Sequence, residues 1–310
     1  MFSYLTGCLI GLLALENVLA AYNNSHIIDV LEEIDTIKHP RVIDAMIHVD
    51  RGHFCAHNDS RKYMLAARDI GYGSIIDNPV QHAEVLELLK DKLVPGAKVL
   101  DVGSGSGYLT TCFAHMVGKN GSVVGVEHIP EIVAHASNVT TLHYPKLNKR
   151  IKFICGDGRL GYPEGGPYDV IHVGASSEVV PKAFVDQLKS GGRMLIYVGL
   201  KYFVQKCFLV DKHEDGTYTK TYIRQSQIKP LIDKDVQLER YILYEATTPV
   251  YRLKEYADLV FSPEDSLYKI DMRDRTDVGS LFESDSRPET TSRYRKGKPE
   301  NNEPLIIKEE

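Results

Sequence analysis

The sequence has no surplus of positive charge. Its 37 Lys and Arg residues face 42 Asp and Glu, a formal net charge of −5 over 310 residues. That balance leaves no electrostatic footprint for nucleic acid. Its five cysteines, Cys8, Cys55, Cys112, Cys155 and Cys207, form no Cys-x-x-Cys pair. Neither a cysteine-built zinc site nor a redox dithiol is therefore signalled. Cys112 and Cys155 fall in apolar periodic segments and read as small core residues. No apolar run reaches the roughly 20 residues of a stable membrane span. Internal repeats are also missing. What is present is a 43% apolar fraction, enough for a full core in one large domain or two small ones.

The two ends differ from the middle. "MFSYLTGCLIGLLALENVLAAY" is apolar to Leu15, then mixed, with small residues before a cut after Ala20. This reads as a signal peptide over residues 1–20, although no basic residue precedes the apolar run. It would send the chain into the secretory pathway or outside the cell; without it the expectation is cytoplasmic. Sequons begin at Asn23, Asn58, Asn120 and Asn138. Residues 236–270 read as an appended ordered segment, and residues 271–310 as a disordered charged tail poor in core-forming residues.

Between the ends two periods alternate. "IIDVLEEIDTI" and "HPRVIDAMIHVD" predict a helical lead-in, with Pro40 at the start of the second helix. "RGHFCAHNDSRKYMLAARDIGYGSIIDNP" reads as irregular, and "VQHAEVLELLKDKL" as a helix. Short apolar strands follow in "KVLDVG", "GSVVGVEH", "IKFICGDG", "YDVIHVGAS" and "GGRMLIYVG", with helices in "YLTTCFAHMV", "PEIVAHASNVTTLH" and "VPKAFVDQLK". Such alternation predicts an α/β fold, a doubly wound, mostly parallel sheet covered on both faces. "KCFLVDKHEDGTYTKTYIRQSQI" predicts an antiparallel hairpin at the sheet edge, turning at Asp215-Gly216.

The candidate site starts at "LDVGSGSGY". Gly103, Gly105 and Gly107 would bring a ligand close to a helix N-terminus. By itself that turn fits an oxidoreductase, a methyltransferase or a structural loop. Three strand-end acids discriminate. Glu127 stands where a carboxylate accepts ribose hydroxyls, Asp157 where it meets an adenine amino group, and Asp101 where it orients the turn or faces a cationic group. So many carboxylates disfavour a pyrophosphate and favour S-adenosylmethionine. Each could also serve only as a helix cap.

The chain resembles the protein-L-isoaspartate (D-aspartate) O-methyltransferase family. The resemblance rests on "VDRGHF", "PVQHAEVLELL", "LDVGSGSGYLTTCFAHMVG", "GDGRLGYPEGGPYDVIHVGAS" and "VVPKAFVDQLKSGGRM", in that order. It implies an S-adenosylmethionine-dependent methyltransferase domain over residues 21–235. It implies transfer of a methyl group to the carboxylate of isoaspartyl residues in damaged proteins or peptides. The cofactor would be held by Asp101, Gly103, Ser104, Gly105, Gly107, Glu127, His128, Asp157 and Gly158. Asp77 and His82 would stand at the reacting carboxylate, with no metal ion. "GYGSIIDNPVQH" would lie over the substrate, and "GASSEVVP" would form part of the wall. His82 could hold a substrate oxygen if protonated or suitably tautomerised. A monomer is the expectation.

Three departures stand out. Where the family has Ser or Thr before this histidine, the chain has Asp77, which when ionised cannot donate to a carboxylate. Ser74 would supply the hydroxyl only with a three-residue slip. Tyr197 replaces a family proline and would either narrow the site or pack beneath it. A secretory signal is also foreign to the family. The alternatives are therefore a weak or inactive S-adenosylmethionine-fold binding protein and a methyltransferase with another acceptor.

Overall fold

The structure, a computed structural model, describes residues 22–247. The proposed signal peptide, residues 248–270 of the appended segment and the charged tail lie outside the described residues.

Two helices lead in: α1 (Asn24–Glu33) and α2 (Pro40–His48). Asn23 caps α1 by accepting from the His26 amide, and Pro40 opens α2 as expected. Next come a short hairpin, β1 (Arg68–Gly71) and β2 (Ser74–Ile76), and helix α3 (Pro79–Leu89). The hairpin corrects the irregular reading. Its strands are too short for an alternating pattern to register, and its turn sits on positive φ at Tyr72 and Gly73.

The alternation then unfolds as predicted: β3 (Lys98–Val102), α4 (Tyr108–Met116), β4 (Ser122–Glu127), α5 (Pro130–His143), α6 (Pro145–Asn148), β5 (Ile151–Cys155), β6 (Tyr168–Ser177), α7 (Lys182–Gln187) and β7 (Leu188–Val198). Strands β8 (Gln205–Lys212) and β9 (Tyr218–Ser226) form the predicted edge hairpin, and α8 (Lys234–Thr247) begins the appended segment. The sheet order is β5-β4-β3-β6-β7-β8-β9, parallel through β7 and antiparallel beyond it.

Both faces of β3 are covered, so its residues sort by period two. Val99 packs with Leu31, Val42, Met46, Leu86 and Phe113 beneath the lead-in helices. Leu100 and Val102 pack on the other face with Val126, Ile171, Phe184 and Met194. Tyr197 is buried with the first group and lies outside the cleft wall, so it packs beneath the site. Cys55, Cys112, Cys155 and Cys207 are free thiols. Cys112 is a core residue, but Cys155 is exposed on edge strand β5, against the expectation for it.

The strand order reverses between β3 and β6. Their carboxyl ends, together with that of β4, open the crevice where open α/β sheets bind ligands.

Candidate active site

A cavity of about 670 Å³ opens at that crevice. One wall is the glycine turn. The Gly103 and Ser104 amides both donate to the Val126 carbonyl, at 2.8 and 3.0 Å, pinning the turn to β4. Gly107 caps α4 at φ +85° and stands apart from the wall. A Cβ there would lie 2.9 Å from Phe153 Cζ and 3.0 Å from Ala136 Cβ. The missing side chain lets helix and sheet pack tightly here. Gly107→Ala should cost about 1–3 kcal/mol of stability in urea denaturation, through overpacking at a left-handed position.

Glu127 is tied into this wall. Oε1 accepts from the His128 and Ile129 amides at 2.7 and 3.1 Å, and Oε2 accepts from Gly105 at 3.3 Å. One buried carboxylate thus fixes both the end of β4 and the crest of the glycine turn. Asp101 is buried beneath it. It accepts from Thr110 Oγ1 at 2.6 Å and pairs with His172 Nδ1 at 2.8 Å. Asp101 thereby ties the end of β3 to the first turn of α4 and to β6. Asp157 and Gly158 complete the floor. Asp157 caps the short helical turn after β5. Both of its oxygens accept from Arg159, whose guanidinium holds the acid below its ordinary pKa. Arg159 in turn reaches Asp233. Ser104 Oγ is buried without a hydrogen-bond partner in the protein, alone among the described buried side-chain polar atoms.

The facing wall comes from the hairpin and the start of α3. Ser74, Ile75, Ile76, Asp77 and His82 line it. Asn78 caps α3 by accepting from Gln81, which places Asp77 just outside the helix. Asp77 Oδ2 accepts from Gln81 Nε2 at 3.2 Å. Burial pushes the Asp77 carboxyl up, against the pull of His172, Arg51, Lys229 and Arg224. His82 is 5% exposed, and burial followed by repulsion from Arg51 and His172 drives its pKa well down. It is therefore neutral. Arg51 Nη1 lies 3.3 Å from His82 Nδ1, and a guanidinium only donates. Nδ1 accepts, so the proton sits on Nε2. Of the two states expected for His82, the structure selects the neutral Nε2–H tautomer.

Arg51, Gln237 and His172 join the site without a local signal in the sequence. Arg51 lies in "VDRGHF", buried at 1% exposure, with its other donors on the Lys62 and Ala66 carbonyls. No spacing marks it as the support of a histidine 31 residues on. Gln237 of α8 bridges the two walls. Its Oε1 meets His128 Nε2 at 3.0 Å, and its Nε2 donates to Tyr72 O and Ser74 Oγ, both at 3.0 Å. Lys229 adds a bond to the Gly73 carbonyl. Ser74 lines the cavity and accepts from this strap, which leaves its O–H free to donate. Gly174 and Ala175 line the cavity from the end of β6, as expected for the start of "GASSEVVP".

A family model described as protein-L-isoaspartate(D-aspartate) O-methyltransferase matches residues 22–236. The chain is 43% identical over 223 residues to a protein-L-isoaspartate O-methyltransferase of Caenorhabditis elegans, covering 70% of this chain and 96% of that one. It is 41% identical over 219 residues to one of Triticum aestivum, covering 70% and 94%. Among solved structures, a beta-aspartate methyltransferase from Plasmodium falciparum, in complex with S-adenosyl-L-homocysteine, superposes with a TM-score of 0.63 at 28% identity. That match covers 68% of this chain and 99% of that one.

Proposed function

The chain belongs to the protein-L-isoaspartate(D-aspartate) O-methyltransferase family, and from that premise we infer how its own residues carry the family's reaction. It is an S-adenosylmethionine-dependent carboxyl methyltransferase acting on isoaspartyl residues of damaged proteins. The observation that carries the residue assignment is the cavity itself. Glu127, Ser104 and the glycine turn stand on one wall, with Asp77 and His82 on the other.

The residues fit the cofactor. The buried Ser104 hydroxyl lacks a partner that a polar ligand would supply. Three acids line the cavity on this side, which suits a cationic nucleoside and not a pyrophosphate. Glu127, Ser104, Gly103, Gly105, His128 and Gly158 would hold it. Asp101 would act from beneath, and Asp157, already paired with Arg159, chiefly through its position in the floor. When bound, S-adenosylmethionine supplies an electrophilic methyl group with a neutral leaving group.

The acceptor carboxylate is already a nucleophile, so no base is required. The protein has to orient one oxygen, hold the other and exclude water. The His82 Nε2–H is the donor that fits, held in its tautomer by Arg51. The Gln237 strap joins the two walls across the cavity. Gln237→Ala removes these bonds. It should raise KM about tenfold and leave kcat within about twofold, as expected for lost uniform binding.

The test is transfer of labelled methyl groups to an isoaspartyl peptide, with the aspartyl peptide as control and cofactor titration on the same sample. Selective transfer is expected. Cofactor binding without transfer at any pH at which the chain stays folded would favour the binding-protein reading, which Asp77 motivates.

A further inference from the structure

The geometry points to a divalent transition-metal site of the zinc class, built from Asp44, His48 and His115, that joins the lead-in helices to the sheet domain. It is independent of the methyl-transfer reading and lies apart from the cleft. His115 is in the last turn of α4, whose first turn follows the glycine turn. Asp44 and His48 are one turn apart on α2, so they share a face.

The three side chains converge. Asp44 Oδ1 lies 3.1 Å from His48 Nδ1, and Oδ2 lies 2.7 Å from His115 Nε2. The two rings lie over one another, with centroids 5.0 Å apart and planes 26° apart. One ligating atom from each residue falls within 4.8 Å of the other two. Zinc bonds to nitrogen and oxygen of about 2.0–2.2 Å put tetrahedral ligands roughly 3.3 Å apart. Small side-chain adjustments reach that spacing. Two imidazoles and a single carboxylate select a borderline ion over calcium or magnesium, which want mostly oxygen. Asp44 and His48 are more than half exposed, which leaves a coordination position for water.

An exposed ion pair alone is a weak reason for this convergence, since such pairs contribute about 0–1 kcal/mol. In the metal-free state His48 Nδ1 is bonded to the Asp44 backbone carbonyl at 2.8 Å, and His115 Nε2 to Asp44 Oδ2. The cation takes one ring nitrogen of each neutral histidine, any proton on that nitrogen moves to the other ring nitrogen or to solvent, and no redox step is involved. The consequence is mechanical. Asp44 and His115 are 71 residues apart, and a shared ion fixes α2 against α4.

The experiment is zinc titration of the full chain against a chromogenic chelator, with thermal melts alongside. One equivalent is expected, with a rise in Tm of about 5 °C in excess zinc. His48→Ala and His115→Ala should each weaken binding at least about tenfold and remove the rise. The exposed His213→Ala variant should keep both. X-ray absorption at the zinc edge should show nitrogen and oxygen neighbours and no sulfur at about 2.3 Å. Three outcomes overturn the site: no bound equivalent at about 10 µM free zinc, unchanged binding in His115→Ala, or sulfur in the shell, which would move the ion to a cysteine.

Discussion

Methyl transfer by the wild-type chain should fall about tenfold for each pH unit above the pKa of Asp77, and Asp77→Asn should lose that dependence. Asp77 lines the wall with His82. Burial raises its pKa. Below that pKa it is a neutral acid, able to donate its O–H to an acceptor oxygen. Above it, two carboxylates meet. At about 4 Å and an effective dielectric of about 20, like charges repel by roughly 4 kcal/mol. The acceptor stays ionised throughout, because an unperturbed carboxyl titrates near pH 4. Asp77→Ser keeps a hydroxyl donor that does not ionise. Above the Asp77 pKa it should be faster than wild type by a margin that widens with pH, and below that pKa the two rates should converge. The readout is kcat/KM for an isoaspartyl peptide, followed by release of S-adenosylhomocysteine. Stability gives a second check. A raised carboxyl pKa contributes stability below its unfolded value, and that stability is lost as pH rises through the folded value. The Asn variant should flatten that slope as well. A flat wild-type rate profile, or a slower Ser variant above the Asp77 pKa, would mean that Asp77 stays clear of the acceptor.

The sheet was legible because its signal is local. Short apolar runs such as "KVLDVG", bounded by turn residues, suit strands buried on both faces, and helices at 3.6-residue spacing separate them. Glu127 and Asp157 were legible because strand ends at a switch point have few uses for an acid. What escaped has no local pattern. The β1–β2 hairpin has strands of four and three residues, too few to show a period. Arg51 supports His82 through one long-range contact, and Gln237 closes the cleft from 163 residues beyond Ser74. Asp157 lines the cavity, but the pairing of its carboxylate with Arg159, two residues on, has no pattern in the sequence. The packing of Gly107 against Phe153 and Ala136 is long-range as well, and spacing along the chain does not announce it.

Glu127→Ala should raise the dissociation constant for S-adenosylmethionine at least about 100-fold. The carboxylate satisfies the amides of Gly105, His128 and Ile129 at once. Hydrogen bonds to a charged group contribute about 1.5–3 kcal/mol, and buried donors left without acceptors incur a desolvation cost. Alanine therefore frees the crest of the glycine turn from β4 and removes the acid from the wall in one step. A loss of about 2–3 kcal/mol of folding stability should accompany the loss of affinity. Glu127→Gln separates the two effects. Its amide oxygen can still accept from His128 and Ile129, but its NH₂ would face the Gly105 amide, donor against donor. Gln should keep most of the stability and lose about tenfold in affinity. Asp157→Asn, whose partner is Arg159, should lose less than Glu127→Gln does. Calorimetric titration and urea denaturation read both quantities on the same samples. If Glu127→Ala binds the cofactor within threefold of wild type, Glu127 is a strut of the turn and the ligand is held by the turn alone.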